Sequence, residues 1–550
     1  MMGTARKPGQ WPRRSVSLFA SGLAAGVLAG FLFGGACPSR AQDQQRDTSI
    51  VPIVDPKYAT MTVARVGPIN ITAQQFLLSY EFGPAFAKRR KDSRQKYLEF
   101  MIYEKLLALD AADRGARSSP QFRRSVAEIT GDLVTEELYK DDILRKVRVT
   151  GAELREAMAD QRVRYSLRWL YAPTKEEIDR IRDTLALGVT FDSLFRRQGT
   201  GPGGTGLHSR ETTRFQLRNE RPLIAAAVDT LKPSVPSPPI EGPDGWYIMS
   251  LNDITFDAIA TDADAAKEQY DARRALTQRK ADRLSDAYVN TIMSDHAPVI
   301  EPKTFGLLSA YLAQLWVPAD QRTSWDLGRS LDREMSLAAI INIDRFGDQP
   351  LVRMKDRQVL LSRFLSWYRA RDKILKLQTT SLYAFESSLE GLVWQMVRDG
   401  LLIERATGRG LQKRESVRSQ KKWWEEKILY TLEKNALSDS INVNEGLLRK
   451  YYQEHQRTYR TPKGDTLTFA DARDEVKKDV YAGELTRRLL HRIIALKRKY
   501  PVEIRKDVLL TLPVDDESEP RAVDVYFAKT GGTFPHPAFP TIDYDWQAWE

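Results

Sequence analysis

The chain has 550 residues, of which 42% are hydrophobic and 29% charged, so it can bury several cores, and its length points to about three or four domains. Five of its excess positive charges (Arg6, Lys7, Arg13, Arg14, Arg40) lie in residues 1–41, which hold no acid, leaving +11 − 5 = +6 for the rest. That balance is mild, no Lys/Arg run with interleaved aromatics occurs, and no nucleotide-binding motif is present, which argues against nucleic-acid and nucleotide partners.

Residues 1–41 read as an export signal: basic residues, then an apolar run of small residues from Val16 to Phe33, then Ser39-Arg40-Ala41 before a cleavage point. Two rival readings are an uncleaved membrane anchor and a lipoprotein acylated at Cys37, the chain's one cysteine. Cleavage after Ala41 would leave no thiol and no disulfide. The protein is therefore expected outside the cytoplasm, in the periplasm or cell envelope.

Residues 42–60 form a polar linker. Val63–Val66 and Ile69–Ile71 predict a strand pair turning at Gly67-Pro68, and Thr72 a cap for a helix bearing Phe76, Leu77 and Tyr80. A second helix from about Ser93 places Leu98, Ile102 and Leu109 on one face and stops at Gly115, where glycine tolerates the left-handed conformation. A third carries Phe122, Val126, Ile129, Leu133 and Leu138. Thr150 and Glu153 make a capping box for a fourth.

The texture changes over 162–254. Tyr165, Leu167, Trp169 and Tyr171 alternate with Ser166, Arg168 and Leu170, as in a strand. A helix ending at Gly188, a glycine-rich loop from Gly199 to Gly206, a short helix at Leu223–Leu231 and a last strand at Trp246–Leu251 follow. The loop lacks the Lys-Ser/Thr of a phosphate-binding loop. Residues 264–293 predict one long helix, and Pro298-Val299-Ile300 a strand closing this first unit. Residues 303–345 are an apolar bridge. A second unit, 346–512, is closed by Pro501-Val502-Glu503-Ile504, and 513–550 read as a flexible aromatic tail with no core of its own.

The two units are related. Met101, Leu106, Leu107, Ala111, Arg114 and Gly115 recur as Met396, Leu401, Leu402, Ala406, Arg409 and Gly410. Val147, Val149, Leu154 and Arg155 recur as Ile441, Val443, Leu448 and Arg449. A short turn from Thr461 to Thr466 stands in the second unit where 162–254 stands in the first. The expected fold class is α+β: a mainly helical body in two related copies, 61–161 with 255–302 and 346–512, with a small α/β domain inserted in the first copy only.

Together, Val63–Thr72, Ala111-Ala112-Asp113-Arg114-Gly115, the cap Val149-Thr150-Gly151-Ala152-Glu153-Leu154 and the insert resemble the SurA/PrsA/PpiD-type periplasmic foldases. The insert resembles a parvulin (PpiC-type) prolyl isomerase through Leu185, Gly188, Phe191 and Leu194, Gly203-Gly204-Thr205-Gly206-Leu207, Leu231-Lys232-Pro233, Ser237-Pro238-Pro239-Ile240 and Gly245-Trp246-Tyr247-Ile248. The resemblance implies a prolyl pocket at Trp169, Leu207, His208, Phe215, Ile224 and Tyr247. It also shows a departure: the family's usual His pair is replaced by Trp169 and Tyr247, and its usual pocket Phe by Ile224.

Prolyl isomerisation needs no nucleophile, metal or cofactor, and none is expected. The five His residues (208, 296, 455, 491, 536) lack metal-ligand spacing. The resemblance implies unfolded or nascent exported polypeptides as partners. Three functions remain open: a chaperone with a degenerate isomerase centre, an active isomerase with an altered pocket, and an assembly subunit for one fixed partner.

Overall fold

The computed structural model describes residues 55–88, 92–200, 208–242, 245–257, 261–325, 338–371, 375–461, 464–514 and 538–549. The export segment, Cys37 and residues 201–207, with Leu207, lie outside them. Among the described residues no helix is long and apolar enough to cross a membrane. The described chain is mainly helical, with three small antiparallel sheets, and divides into two compact units: Asp141–Tyr288, and Met1–Lys140 with Val289–Glu550.

In chain order, the larger unit begins with β1 (Thr62–Val66) and β2 (Ile69–Thr72), the expected hairpin. Thr72 caps α1 (Ala73–Glu81) in a capping box with Gln75. The helix α2 (Ser93–Asp113) departs from the one-sided stripe read in its sequence. Tyr97, Phe100, Met101 and Leu107 are buried as well as Leu98, Ile102 and Leu106 of that stripe, so it is a central helix. A charged side chain on such a helix needs a partner. Lys105 meets Glu426 at 2.7 Å, Glu104 meets Lys427 at 2.8 Å and Asp110 meets Arg492 at 2.6 Å, all from the far end of the sequence. Gly115 then takes φ 80°, a short 3-10 turn follows, and α3 (Pro120–Asp142) begins.

The smaller unit holds α4 (Gly151–Arg162), β3 (Val163–Ala172), α5 (Lys175–Ala186), α6 (Phe191–Thr200), β4 (Ser209–Thr213), α7 (Arg214–Glu220), α8 (Pro222–Val228), β5 (Ile240–Gly242), β6 (Gly245–Phe256) and most of α9 (Asp262–His296). The Thr150–Glu153 capping box is formed. The strand order is β4-β3-β6-β5. Strand alternation sorts the side chains: Leu170, Ala172 and Ile248 pack on α5 and α6, while Tyr165, Leu167, Met249 and Leu251 pack on α7 and α8. The unit is wider than residues 162–254, because Leu154 and Ala157 of α4 pack with Ala272 and Leu276 of α9.

The larger unit resumes with β7 (Val299–Ile300) and α10 (Pro302–Trp316), then β8 (Pro350–Arg353), β9 (Gln358–Leu360) and α11 (Leu361–Arg369). Next come α12 (Leu382–Gly408), α13 (Glu415–Asp439), α14 (Glu445–His455), α15 (Phe469–Lys499), β10 (Val502–Ile504) and α16 (Lys506–Thr511). Leu307, Leu308 and Leu312 of the expected bridge belong to a core with β8, α11 and α12. Between α14 and α15, Arg460 and Thr466 form a single bridge and Gly464 takes φ 92°, so a turn does stand there.

Two observations depart from the sequence reading. The strand expected to close the first unit, β7, pairs with β8; the strand expected to close the second, β10, pairs with β1. The helices follow suit. α2 packs with α13 and α15, and Gly131 of α3 lies against Ile403 of α12, where an added Cβ would fall 2.7 Å from Cδ1. Similar strands satisfy either hairpin equally, so strand pattern alone does not decide which one closes which. Second, residues 538–549, the end of the expected flexible tail, are folded: Trp546 is fully buried among α2, α13 and α15. They make no core of their own; they complete another.

Candidate functional site

The face of the small sheet that packs on α7 and α8 holds an open cavity of about 350 Å³. Two antiparallel strands build its floor in cross-strand pairs: Leu167 beside Leu251, Trp169 beside Met249 and Tyr171 beside Tyr247. Ile224 and Leu217 wall it from the helices, and His208, Arg210 and Thr212 line the side by β4.

Aromatic packing fixes the floor. The Trp169 and His208 rings stack at 5.7 Å and 8°, and Tyr171 meets His208 edge-on and Tyr247 at 5.5 Å. Two glycines make room for these tyrosines. A Cβ on Gly242 would fall 2.6 Å from Tyr247, and one on Gly245 would fall 2.5 Å from Tyr171, at a φ of 149° that also favours glycine. The conformation of Gly245-Trp246-Tyr247-Ile248 thus serves the cavity. Beyond β5, Ser237 pairs both ways with Met249: its N–H donates to the carbonyl (2.8 Å) and its Oγ accepts from the Met249 N–H (2.8 Å).

Two guanidiniums border this apolar space. Arg210 is held by Glu220 in a two-pronged pair at 2.7 and 3.2 Å. Arg221 donates to Tyr247 Oη at 3.2 Å, with its guanidinium 5.7 Å from that ring. The site therefore combines aromatic and aliphatic walls with the guanidiniums of Arg210 and Arg221 and the Tyr247 hydroxyl at one side.

A polar network anchors α7, which carries Leu217. Tyr165 Oη donates to Asp229 at 2.5 Å and accepts from Arg214 at 2.6 Å, while Arg218 reaches Asp229 (2.8 Å) and Asp160 (2.7 Å). Burial pushes the Tyr165 hydroxyl up, and its bond to Asp229 pushes it further against the pull of Arg214. Burial also opposes ionisation of Asp229, but the bonds from Tyr165 and Arg218 hold it below the usual carboxylate range. At Asp160 burial wins over Arg218 and the carboxyl is raised.

Of the six residues expected in the pocket, Trp169, His208, Ile224 and Tyr247 line this cavity. Leu207 lies outside the described residues. Phe215 does not line it: it packs on the other side of α7, with Leu154, Ala157, Ala272 and Leu276. Tyr171 and Met249 were missed, though each stands two residues along the same strand from an expected member, which was signal enough. Arg210 likewise stands two residues after His208, while Arg221 carried no such signal. Among the described residues no group of three or more His, Cys, Asp or Glu is placed to hold a metal ion.

No protein-family model matches the chain, and no curated protein does. Among solved structures, the peptidylprolyl isomerase PrsA from Bacillus cereus is 15% identical, over 39% of this chain and 85% of that one, with a TM-score of 0.22. A likeness at that score carries no weight for fold or function.

Proposed function

We propose that this protein is an exported foldase of the SurA/PrsA type. Its small sheet domain takes proline-containing segments into the aromatic cavity, and its helical body holds unfolded or nascent exported polypeptides. The observation that carries this reading is the cavity of about 350 Å³, apolar in its floor and edged by Arg221 and Tyr247. Rotation about an X–Pro bond faces a barrier of about 18–20 kcal/mol, set by amide resonance. A site that strips water from the carbonyl and donates hydrogen bonds favours the twisted amide without a nucleophile or cofactor. With Trp169 and Tyr247 where the resembled family carries His, holding is the main activity and isomerisation is weak.

The helical body consists, on this reading, of two related copies, each closed by the other's last strand. Support comes from their local geometry. Gly115 and Gly410 take φ 80° and 74° between equivalent helices, and Phe76 stacks on Tyr80 (5.7 Å) as Phe364 does on Tyr368 (5.9 Å). Thr150 and Asn444 both cap the helix that follows. Location in the cell envelope rests on the basic, apolar and small-residue order of residues 1–41.

The test uses the chain from residue 42. Exchange of a short X–Pro peptide is followed by NMR, and aggregation of two unrelated unfolded proteins by light scattering. Expected are peptide binding lost in Trp169→Ala/Tyr247→Ala, slight acceleration of exchange, and suppression of both aggregations. A folded sample that neither binds the peptide nor suppresses aggregation refutes the proposal.

A further inference from the structure

The C-terminal residues 538–549 lie in a groove along α2 and α13, and they lie there as a bound peptide lies in a receptor. They contribute no strand and only one 3-10 turn, Tyr544–Trp549. Contact is made by spaced side chains. Phe539 fills a slot made by Leu78, Phe82 and Trp423. Trp546 stacks on Phe100 (5.5 Å) and Tyr430 (6.2 Å), seven residues further on. Ile542 is buried between them.

The polar groups of the groove match the same segment. Glu104 accepts from Trp546 Nε1 (3.1 Å) and from the Asp543 N–H (2.8 Å), with Lys427 balancing its charge. Lys434 pairs with Asp543 (2.6 Å) and Asp545 (2.8 Å). Under Pro540–Ile542 only about 10 Å³ is left, room for about one water. The groove thus reads two aromatic side chains seven residues apart with acidic residues between them.

The aligned positions of the other helix pair carry different residues. The repeat aligns Phe100, Tyr103 and Glu104 with Gln395, Arg398 and Asp399, and Lys427, Tyr430 and Lys434 with Asp132, Thr135 and Tyr139. The other helix pair therefore packs without the aromatic slot or the two lysines. What sets the first pair apart is the chemistry that faces residues 538–549.

We infer that the groove along α2 and α13 is a peptide-binding site for aromatic, acidic segments, which the chain's own residues 538–549 occupy and can vacate. The inference does not depend on the role given to the small sheet domain, and its test reads neither isomerisation nor aggregation.

The chain ending at Val514 is titrated against a fluorescein-labelled peptide of residues 536–550, read by anisotropy. The truncated chain should bind one equivalent saturably. The full chain should bind about tenfold more weakly or less, because its own segment competes. Peptide Trp546→Ala should lose about thirtyfold, as burial of an aromatic anchor predicts, and Lys434→Ala in the truncated chain should weaken binding. A truncated chain that stays folded and binds no peptide overturns the inference. If truncation prevents folding, a second form decides: the full chain with a protease site placed within 515–537. After cleavage, excess labelled peptide should replace the native segment; a segment that no excess displaces is a fixed part of the core, and the inference fails.

Discussion

Replacing Asp399 by Asn is expected to stabilise the larger unit at neutral pH and to do nothing at acid pH. Asp399 sits on α12 with 3% of its surface exposed. Burial raises its carboxyl to about 6, helped by the nearby charge of Asp132 and opposed by Arg398, which reaches it at 2.8 Å, and by Arg371. The sign follows from linkage. In the unfolded chain the group ionises near its ordinary 3.8, in the folded chain near 6, so the folded form holds its proton longer. Stability therefore falls as pH rises from about 4 to about 6, and the whole cost is present above that window. The gap between 3.8 and about 6 corresponds to about 3 kcal/mol. Asn keeps the shape without the charge, so Asp399→Asn should gain about 1–3 kcal/mol at pH 7.5, after allowing for the lost attraction to Arg398, and within about 0.5 kcal/mol of nothing at pH 4. Urea unfolding of both proteins at the two pH values measures this. A variant destabilised equally at both values, or a wild type whose stability does not fall between pH 4 and 6, refutes the reasoning.

The Lys105–Glu426 pair is buried on both sides, so Lys105→Met should cost about 3–5 kcal/mol by stranding the carboxylate, while Lys105→Met/Glu426→Leu should recover most of it in the same urea assay. Gly410→Ala should lose about 1–2 kcal/mol from its left-handed backbone alone, since no atom lies closer than 4.0 Å to the new Cβ. Gly391→Ala, in the middle of α12 with nothing within 4 Å, should instead gain about 0.5–1 kcal/mol; equal signs for the two by thermal melting would contradict the backbone argument. Co-expressing residues 42–325 and 338–550 as separate chains should give a complex that co-purifies at equal stoichiometry, because β1 needs β10 and β8 needs β7. Two halves that purify apart as folded monomers would show that each closes itself.

What the sequence disclosed was governed by local rules. The hairpin before Thr72, the caps at Thr72 and Thr150, the stop at Gly115 and the alternation of Tyr165, Leu167, Trp169 and Tyr171 each depend on a few neighbouring residues, and each is present. What it hid depends on residues hundreds of positions apart. A strand such as Val502–Ile504 carries no mark of which hairpin it joins. Phe215 and Leu217 lie on one short helix buried on two sides, so the pattern could not say which residue faced the cavity. The composition around Phe539 and Trp546 rightly excluded a separate core, but said nothing of the slot that Leu78, Phe82 and Trp423 make for Phe539, or of Phe100 and Tyr430 beside Trp546. Glu104 and Lys427 gave no hint of it either: each stands beside other charged residues (Lys105; Glu425 and Glu426) and they pair with each other, so the N–H donors that the tail supplies to Glu104 were not legible.

On the proposed two-copy reading, the pairing of β1 with β10 and of β7 with β8 gives the two helix pairs different neighbours. Here α2 meets α13, and α12 meets α3, so the two interfaces are made of different sequence. One has filled its equivalent positions with the ion pairs Lys105–Glu426 and Glu104–Lys427. The other places Gly400 and Gly131 at the positions of the first pair, and Asp399 and Asp132 at those of the second. The first interface is joined by ion pairs and has an aromatic groove beside it. The second permits close helix approach at Gly131 and stores a buried carboxyl with a raised proton affinity.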